Sequence, residues 1–143
     1  MKVLFLCTGN SCRSQMAEGF ARGLWPDGLE VSSAGIEKHG LNPNAMRVMA
    51  EAGYSIDSQK SQSLDDLPDL AFDLVITVCG HAHETCAMFP GEARVVHQGF
   101  DDPPKLAAGL PEDEALVHYR RVRDEIREAV AKMPEAYGLL RAP

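Results

Sequence analysis

The first fourteen residues restrict this chain more than any other stretch. Lys2-Val3-Leu4-Phe5-Leu6 is mostly apolar, and Cys7-Thr8-Gly9-Asn10-Ser11-Cys12-Arg13-Ser14 follows it as a polar turn. A run this short, bounded by Gly, Asn and Ser, reads as a buried strand. From Gln15 to Arg22 apolar residues recur at helical spacing, so a strand, a tight loop and a helix start follow in direct succession. Such a loop aims successive backbone N–H groups, together with the positive end of the helix, at one point in space. That is a cradle for an oxyanion.

Cys7 opens the loop and Arg13 closes it, a C-x5-R spacing. A thiolate needs nearby positive charge at neutral pH, and a helix N-terminus with an arginine can lower a cysteine pKa from about 8.5 to roughly 3.5–7.5. The planar guanidinium grips a tetrahedral oxyanion through two parallel hydrogen bonds, which an ammonium cannot do. Thr8, Gly9, Asn10, Ser11, Cys12, Arg13 and Ser14 are therefore the candidate anion-binding residues, and Cys7 the candidate nucleophile. An inert, buried Cys7 beside a merely solvated Arg13 is the competing reading. It leaves the loop's composition unexplained.

With 143 residues, 45% hydrophobic and 24% charged, the chain is expected to form one domain over residues 1–143 with a sizeable core. A net charge of −7 argues against nucleic acid or an anionic membrane as the main partner. Met1-Lys2 before an apolar run resembles the start of a secretion signal, but the run is too short for an h-region and no small-residue cleavage site follows. No segment reaches transmembrane length. A cytoplasmic location is expected.

Further along, Leu29–Ser33 alternates as a strand, and Asn42-Pro43 supplies an N-cap and a first-position proline for a helix running to Ala52. Ser63-Leu64-Asp65-Asp66 resembles a capping box. Phe72–Val78 gives the strongest strand signal, Ala93–His97 a fourth strand, and Gly99–Pro104 a loop from its end. Leu116, Tyr119, Val122, Ile126 and Val130 mark a long amphipathic helix from Glu112 to Lys132, with frayed residues expected after Pro134. Strands alternating with helices give an α/β class: one three-layer domain with a four-stranded, mostly parallel sheet flanked by helices. Ligands bind such sheets at the C-terminal strand ends. Cys7, Cys79 and Asp101-Asp102 all follow such ends, so topology alone is expected to gather them.

Cys79-Gly80-His81-Ala82-His83-Glu84-Thr85-Cys86 is a second chemical cluster. In a cytosolic chain spaced cysteines suggest catalysis or metal binding rather than a disulfide framework. Cys79, His81, His83 and Cys86 offer zinc ligands, although one alternating run does not easily wrap a single ion. Cys79 and Cys86 otherwise form a redox pair, or never react. In a regular helix they would stand roughly 10 Å apart along the axis, beyond the Cα separation of about 7 Å that a disulfide tolerates. Asp101-Asp102-Pro103 is either a solvated turn or a general acid delivered to the anion loop.

The segments Val3–Gly19, Ser33–Glu37, His39–Pro43, Thr77–Cys79, Cys86, Gly99–Pro103 and Arg121–Ile126 closely resemble thioredoxin-coupled arsenate reductases, which share the low-molecular-weight tyrosine phosphatase fold. C-x5-R-S and Asp-Pro are common to reductases and phosphatases; Cys79, Cys86 and the residues between them are what the phosphatases lack. The resemblance implies that Arg13 and the loop N–H groups hold arsenate while Cys7 attacks arsenic and Asp102 protonates the departing oxygen. Ser14 is then placed to hydrogen-bond the thiolate. Cys79 next attacks Cys7, Cys86 takes over the disulfide, and thioredoxin reduces it, so that arsenate detoxification needs three thiols. Cys12 is expected to be structural. No tightly bound cofactor is implied. Phosphate and sulfate are expected competitors, and weak phosphatase activity is expected to persist. Some relatives bind potassium beside the loop, a pattern that Asn10, Glu18 and Ser33 match with Ser61 as a substitute. Ser63, however, stands where an aspartate is expected, which weakens the case for that ion. Lys105 to Glu114 lies outside the matched core. A low-molecular-weight phosphatase acting on phosphotyrosine or small phosphate esters is the alternative enzyme, although an aryl phosphate needs aromatic walls and only 6% of residues are aromatic. A thiol-based metal or redox sensor is the alternative outside enzymology.

Overall fold

The computed structural model describes residues 1–78 and 89–139. Four strands alternate with helices: β1 Lys2–Cys7, α1 Arg13–Leu24, β2 Glu30–Gly35, α2 Pro43–Glu51, β3 Leu74–Thr77, β4 Arg94–His97, α3 Pro103–Ala107 and α4 Glu112–Ala136. The strands form one sheet in the order β2-β1-β3-β4, with every neighbouring pair parallel. The α/β class and the four-stranded sheet agree with the sequence expectation.

Two of the strands are buried on both faces, which explains their unbroken apolar runs. From Val3 to Leu6, β1 has no exposed surface. Val3 and Phe5 face one core with Met16, Phe20, Val122, Ile126 and Val130 of α1 and α4. Leu4 and Leu6 face the other with Ala34 and Val75, where Leu64, Leu67, Phe72 and Phe89 complete the cover. Trp25 ends α1 by stacking near Phe5, ring centroids 5.7 Å apart, and donates its indole N–H to the Val130 carbonyl at 2.8 Å. Strand, crossover helix and long helix are thereby fixed to one another.

Capping chemistry sets several boundaries. Asn42 Oδ1 accepts from the N–H groups of Asn44 and Ala45, with Pro43 at the first helical position of α2. The 3₁₀ turn Leu64–Asp66 is held by the Ser63 N–H donating to Asp66 at 3.0 Å. Two expectations need correction. Gly99–Pro104 is not loop throughout, because α3 starts at Pro103 with Asp102 in the N-cap position; Asp-Pro-Pro was a helix-start signal. Nor do the described residues after Pro134, up to Leu139, fray. Helix α4 runs through this proline to Ala136, Leu139 is buried, and Tyr137 donates its hydroxyl to Gln98 at 3.1 Å. Tertiary burial there outweighs the hydrogen bond that proline cannot make.

The strand order positions the site. From β1 the chain crosses to β2 on one side and later reaches β3 on the other, so the C-terminal end of β1 is the topological switch point where parallel sheets open a crevice. Cys7 is the residue at that end.

Candidate active site

The loop from Thr8 to Cys12 is shaped from behind. The Thr8 carbonyl accepts from the Glu37 N–H at 3.0 Å, Gly9 from His39 at 2.9 Å, and Ser11 from Asn42 at 3.1 Å. The Asn10 carbonyl accepts from the Gln15 side chain at 3.1 Å. Four successive carbonyls are thus tied to donors outside the loop. A planar trans peptide sets the following N–H opposite each carbonyl, so the N–H groups of Gly9, Asn10, Ser11 and Cys12 point away from these outer donors. Asn10 makes this possible with φ of 47°, a left-handed conformation that asparagine tolerates better than most residues. Helix α1 adds its positive end, with no acidic residue in its first turn to oppose it.

A cleft of about 500 Å³ lies over the loop, lined by Cys7, Thr8, Gly9, Ser11, Cys12 and Arg13 below and by His39, Asn42, Asp102, Pro104 and Lys105 around the rim. Cys7 is buried at its base. Arg13, only 4% exposed, is anchored by Nη1 donating to the Phe100 carbonyl at 3.1 Å, and its Nε lies 3.7 Å from Asp102 Oδ1. Asp102 makes no side-chain cap bond in α3, so its carboxylate faces the guanidinium. Asp101 points elsewhere: Oδ2 accepts from Arg121 at 3.0 Å. Fold topology therefore gathers Cys7, Arg13 and Asp102 in one cleft and sorts the two aspartates. Asn10 and Ser14 instead lie fully buried behind the loop.

Cys12 lines the same cleft but differs in chemistry. Burial pushes its thiol far above the ordinary cysteine range, the Asp102 charge adds to the effect, and Arg13 opposes it. A protonated thiol is a poor nucleophile. Cys79 and Cys86, with His81 and His83, lie outside the described residues. Among the described residues no three His, Cys, Asp or Glu side chains gather as a metal site, and no helix is long and apolar enough to cross a membrane.

The potassium pattern meets a physical obstacle. Asn10 Oδ1 already accepts from Gln15 Nε2 at 2.9 Å and from the Gln62 N–H at 2.8 Å. Ser33 Oγ accepts from Asn10 Nδ2 at 2.9 Å and donates to Glu18 Oε1 at 2.6 Å. Glu18 Oε2 is held by Arg22 Nε at 2.7 Å, while Ser61 Oγ accepts from the Gly40 N–H at 3.1 Å. Asn10 Oδ1 thus has no lone pair left for a cation. Glu18, the one carboxylate of the set, already has the positive charge of Arg22 beside it.

Several site residues carried no sequence signal of their own. Lys105, in a stretch with no assigned role, sits on the cleft rim. Gln15 and Gln62 shape the loop from outside it, and the His39 ring covers Gly9 so closely that a Cβ there would collide with Nδ1.

Residues 2–138 match the family described as low molecular weight phosphotyrosine protein phosphatase. The chain belongs to that family. It is an enzyme, and its loop from Cys7 to Arg13 stands at the switch point of the sheet. Within the family it is 52% identical to an arsenate reductase of Bacillus licheniformis, over 93% of this chain and 94% of that protein. Among solved structures it resembles an arsenate reductase in the phosphate-binding state, with TM-score 0.75 and 31% identity over 94% of this chain and 97% of the other. An arsenate reductase in the oxidised state gives TM-score 0.76 and 30% identity, covering 94% and 97% of the two chains.

Proposed function

We propose that this protein reduces arsenate to arsenite through a thiol relay regenerated by thioredoxin. The observation that carries the reading is a buried cysteine under a loop whose four carbonyls are tied back, with Arg13 and Asp102 facing each other across the same cleft. The arsenate reductases named above support the choice of arsenic over phosphorus. The resemblance at Cys79 and Cys86 supports the relay.

In this mechanism arsenate settles on the loop N–H groups and the Arg13 guanidinium. Cys7 Sγ attacks arsenic, an As–O bond breaks, and Asp102 supplies the proton with which that oxygen leaves as water. Ser14 Oγ accepts from Asn10 Nδ2 at 2.9 Å, which leaves the hydroxyl hydrogen to be given elsewhere; we assign it to the Cys7 thiolate. Cys79 Sγ then attacks Cys7 Sγ. The S–As electron pair stays with arsenic, which falls from As(V) to As(III) and departs as arsenite. Two thiols have lost two electrons and become the Cys7–Cys79 disulfide. Cys86 attacks Cys79 and releases Cys7, and the thioredoxin dithiol reduces Cys79–Cys86. Phosphate fits the same cradle but has no accessible lower oxidation state, so it acts as competitor or is slowly hydrolysed as an ester. The chain works as one cytoplasmic domain without a bound cofactor.

The test is arsenate-dependent NADPH consumption with thioredoxin and thioredoxin reductase, wild type beside Cys79→Ser. Turnover is expected in the wild type alone. Absence of turnover in both, with p-nitrophenyl phosphate hydrolysed by both, would make the loop that of a phosphatase and refute the relay.

A further inference from the structure

Glu18 stands out as a buried carboxylate directly behind a site built for an anion. Its side chain is 7% exposed, on the helix whose first turn forms the cradle. An unneutralised carboxylate there is unfavourable for folding and repels the incoming oxyanion. The structure supplies the neutralising charge from one helical turn further on. Arg22 Nε lies 2.7 Å from Glu18 Oε2, and Arg22 Nη2 donates to the Val31 carbonyl at 3.0 Å, which fixes the guanidinium against β2.

Hydrogen-bond polarity shows what this pair does. A guanidinium has no lone pair, so Glu18 faces Arg22 as a carboxylate and its other oxygen accepts from Ser33. Ser33 has then committed its hydrogen and offers a lone pair to Asn10 Nδ2. The second hydrogen of the Asn10 amide goes to Ser14 Oγ at 2.9 Å. Its Oδ1 is held by Gln15 and Gln62. The charge on Arg22 sets the direction at Glu18 and Ser33, and the Gln62 N–H on Oδ1 sets the face that the Asn10 amide turns to Ser33 and Ser14. The residue they immobilise, Asn10, holds the loop's one left-handed turn.

We infer that Arg22 is a positioning residue for the oxyanion loop, acting through Glu18 and Ser33, and that its guanidinium makes a bound alkali cation unnecessary. The inference rests on the reading of the Cys7 loop as an oxyanion cradle. Arg22 touches neither the cleft nor the reacting atoms, and its side chain is half exposed. A role confined to the surface ion pair would contribute little.

The experiment measures the Kd for inorganic phosphate by calorimetry, which needs no thioredoxin and no distal cysteine. Melting temperature, KM and kcat with arsenate are measured alongside. Wild type, Arg22→Met and Arg22→Lys are compared in potassium chloride and tetramethylammonium chloride at equal ionic strength. For Arg22→Met the phosphate Kd and arsenate KM are expected to rise about tenfold with kcat held within about twofold, the order found when an outer-shell partner of a binding group is lost. Arg22→Lys is expected to restore affinity, and the wild type to give the same Kd and melting temperature in both salts. Unchanged affinity in Arg22→Met, failure of a folded Arg22→Lys to recover it, or a wild type that binds more tightly in potassium would each overturn the inference. A wild type that binds no phosphate at all would overturn the cradle itself, and this inference with it.

Discussion

Gly35 offers a sharp test of how the loop is built, because the reason for a glycine there is spatial. It closes β2 opposite Cys7, and its φ is not left-handed. A Cβ at this position would lie 2.5 Å from the Glu37 carbonyl oxygen, 2.6 Å from the Thr8 carbonyl oxygen and 2.8 Å from the Asn10 nitrogen. All three are backbone atoms, and two belong to the cradle. To bring these contacts out to 3.4 Å, the cradle atoms must retreat by about 0.6–0.8 Å. Overpacking of this kind costs about 1–3 kcal/mol, which for a domain of this size lowers the melting temperature by roughly 2–10 °C. The effect on binding is larger in proportion, because a misplacement of about 1 Å at a catalytic site costs on the order of 10²-fold. Gly35→Ala should therefore remain folded and lose roughly 10- to 100-fold in phosphate affinity and in arsenate kcat/KM. Thermal unfolding and phosphate calorimetry on one preparation separate the two effects. A variant with wild-type melting temperature and wild-type phosphate affinity would refute the claim that β2 presses the loop into shape.

The two aspartates should part in kinetics. Asp102→Asn is expected to slow arsenate turnover by about 10²–10⁴-fold, the usual worth of a positioned general acid, whereas Asp101→Asn loses only an exposed pair with Arg121 and stays near wild type; the reverse order in steady-state assays would move the acid by one position. In a Cys7→Ser, Cys79→Ser, Cys86→Ser variant, Cys12 should resist iodoacetamide at about pH 9, where an ordinary thiol with pKa near 8.5 reacts readily, and react after unfolding; rapid labelling of the folded variant would show that burial does not hold the thiol protonated. The bidentate Arg120 clamp on Glu51, at 2.9 and 2.8 Å between α4 and α2, lowers that carboxyl from 4.5 to about 2. A depressed folded-state pKa contributes stability above the unfolded value and loses it as pH falls. The melting-temperature gap between wild type and Glu51→Gln should accordingly hold from neutral pH down to about 4.5 and close as pH approaches about 2. A gap that persists at about pH 2 would mean the clamp is not acting through charge.

Much of this was legible along the chain because it depends on local chemistry. Apolar runs with period two or 3.6 placed all four strands and the helices α1, α2 and α4, since burial of one face is a local demand on sequence. C-x5-R pointed to an anion site because one loop carries a cysteine, successive N–H groups and a guanidinium. Elsewhere local signals misled. Pro134 read as an end, but buried Leu139 and the Tyr137–Gln98 bond carry α4 past it. Asp102-Pro103-Pro104 read as a loop, although the same residues start α3.

By itself the sequence determined that strand, loop and helix meet at Cys7, a junction of the kind suited to an oxyanion. Only the tertiary structure decided which partners shape that loop: Glu37, His39 and Asn42 on its carbonyls, Asp102 rather than Asp101 toward Arg13, and Arg22 against Glu18. The physical reason is separation along the chain. A peptide's own dihedrals are set by nearest neighbours, whereas a hydrogen bond from residue 62 to residue 10 exists only once the sheet has brought the two together.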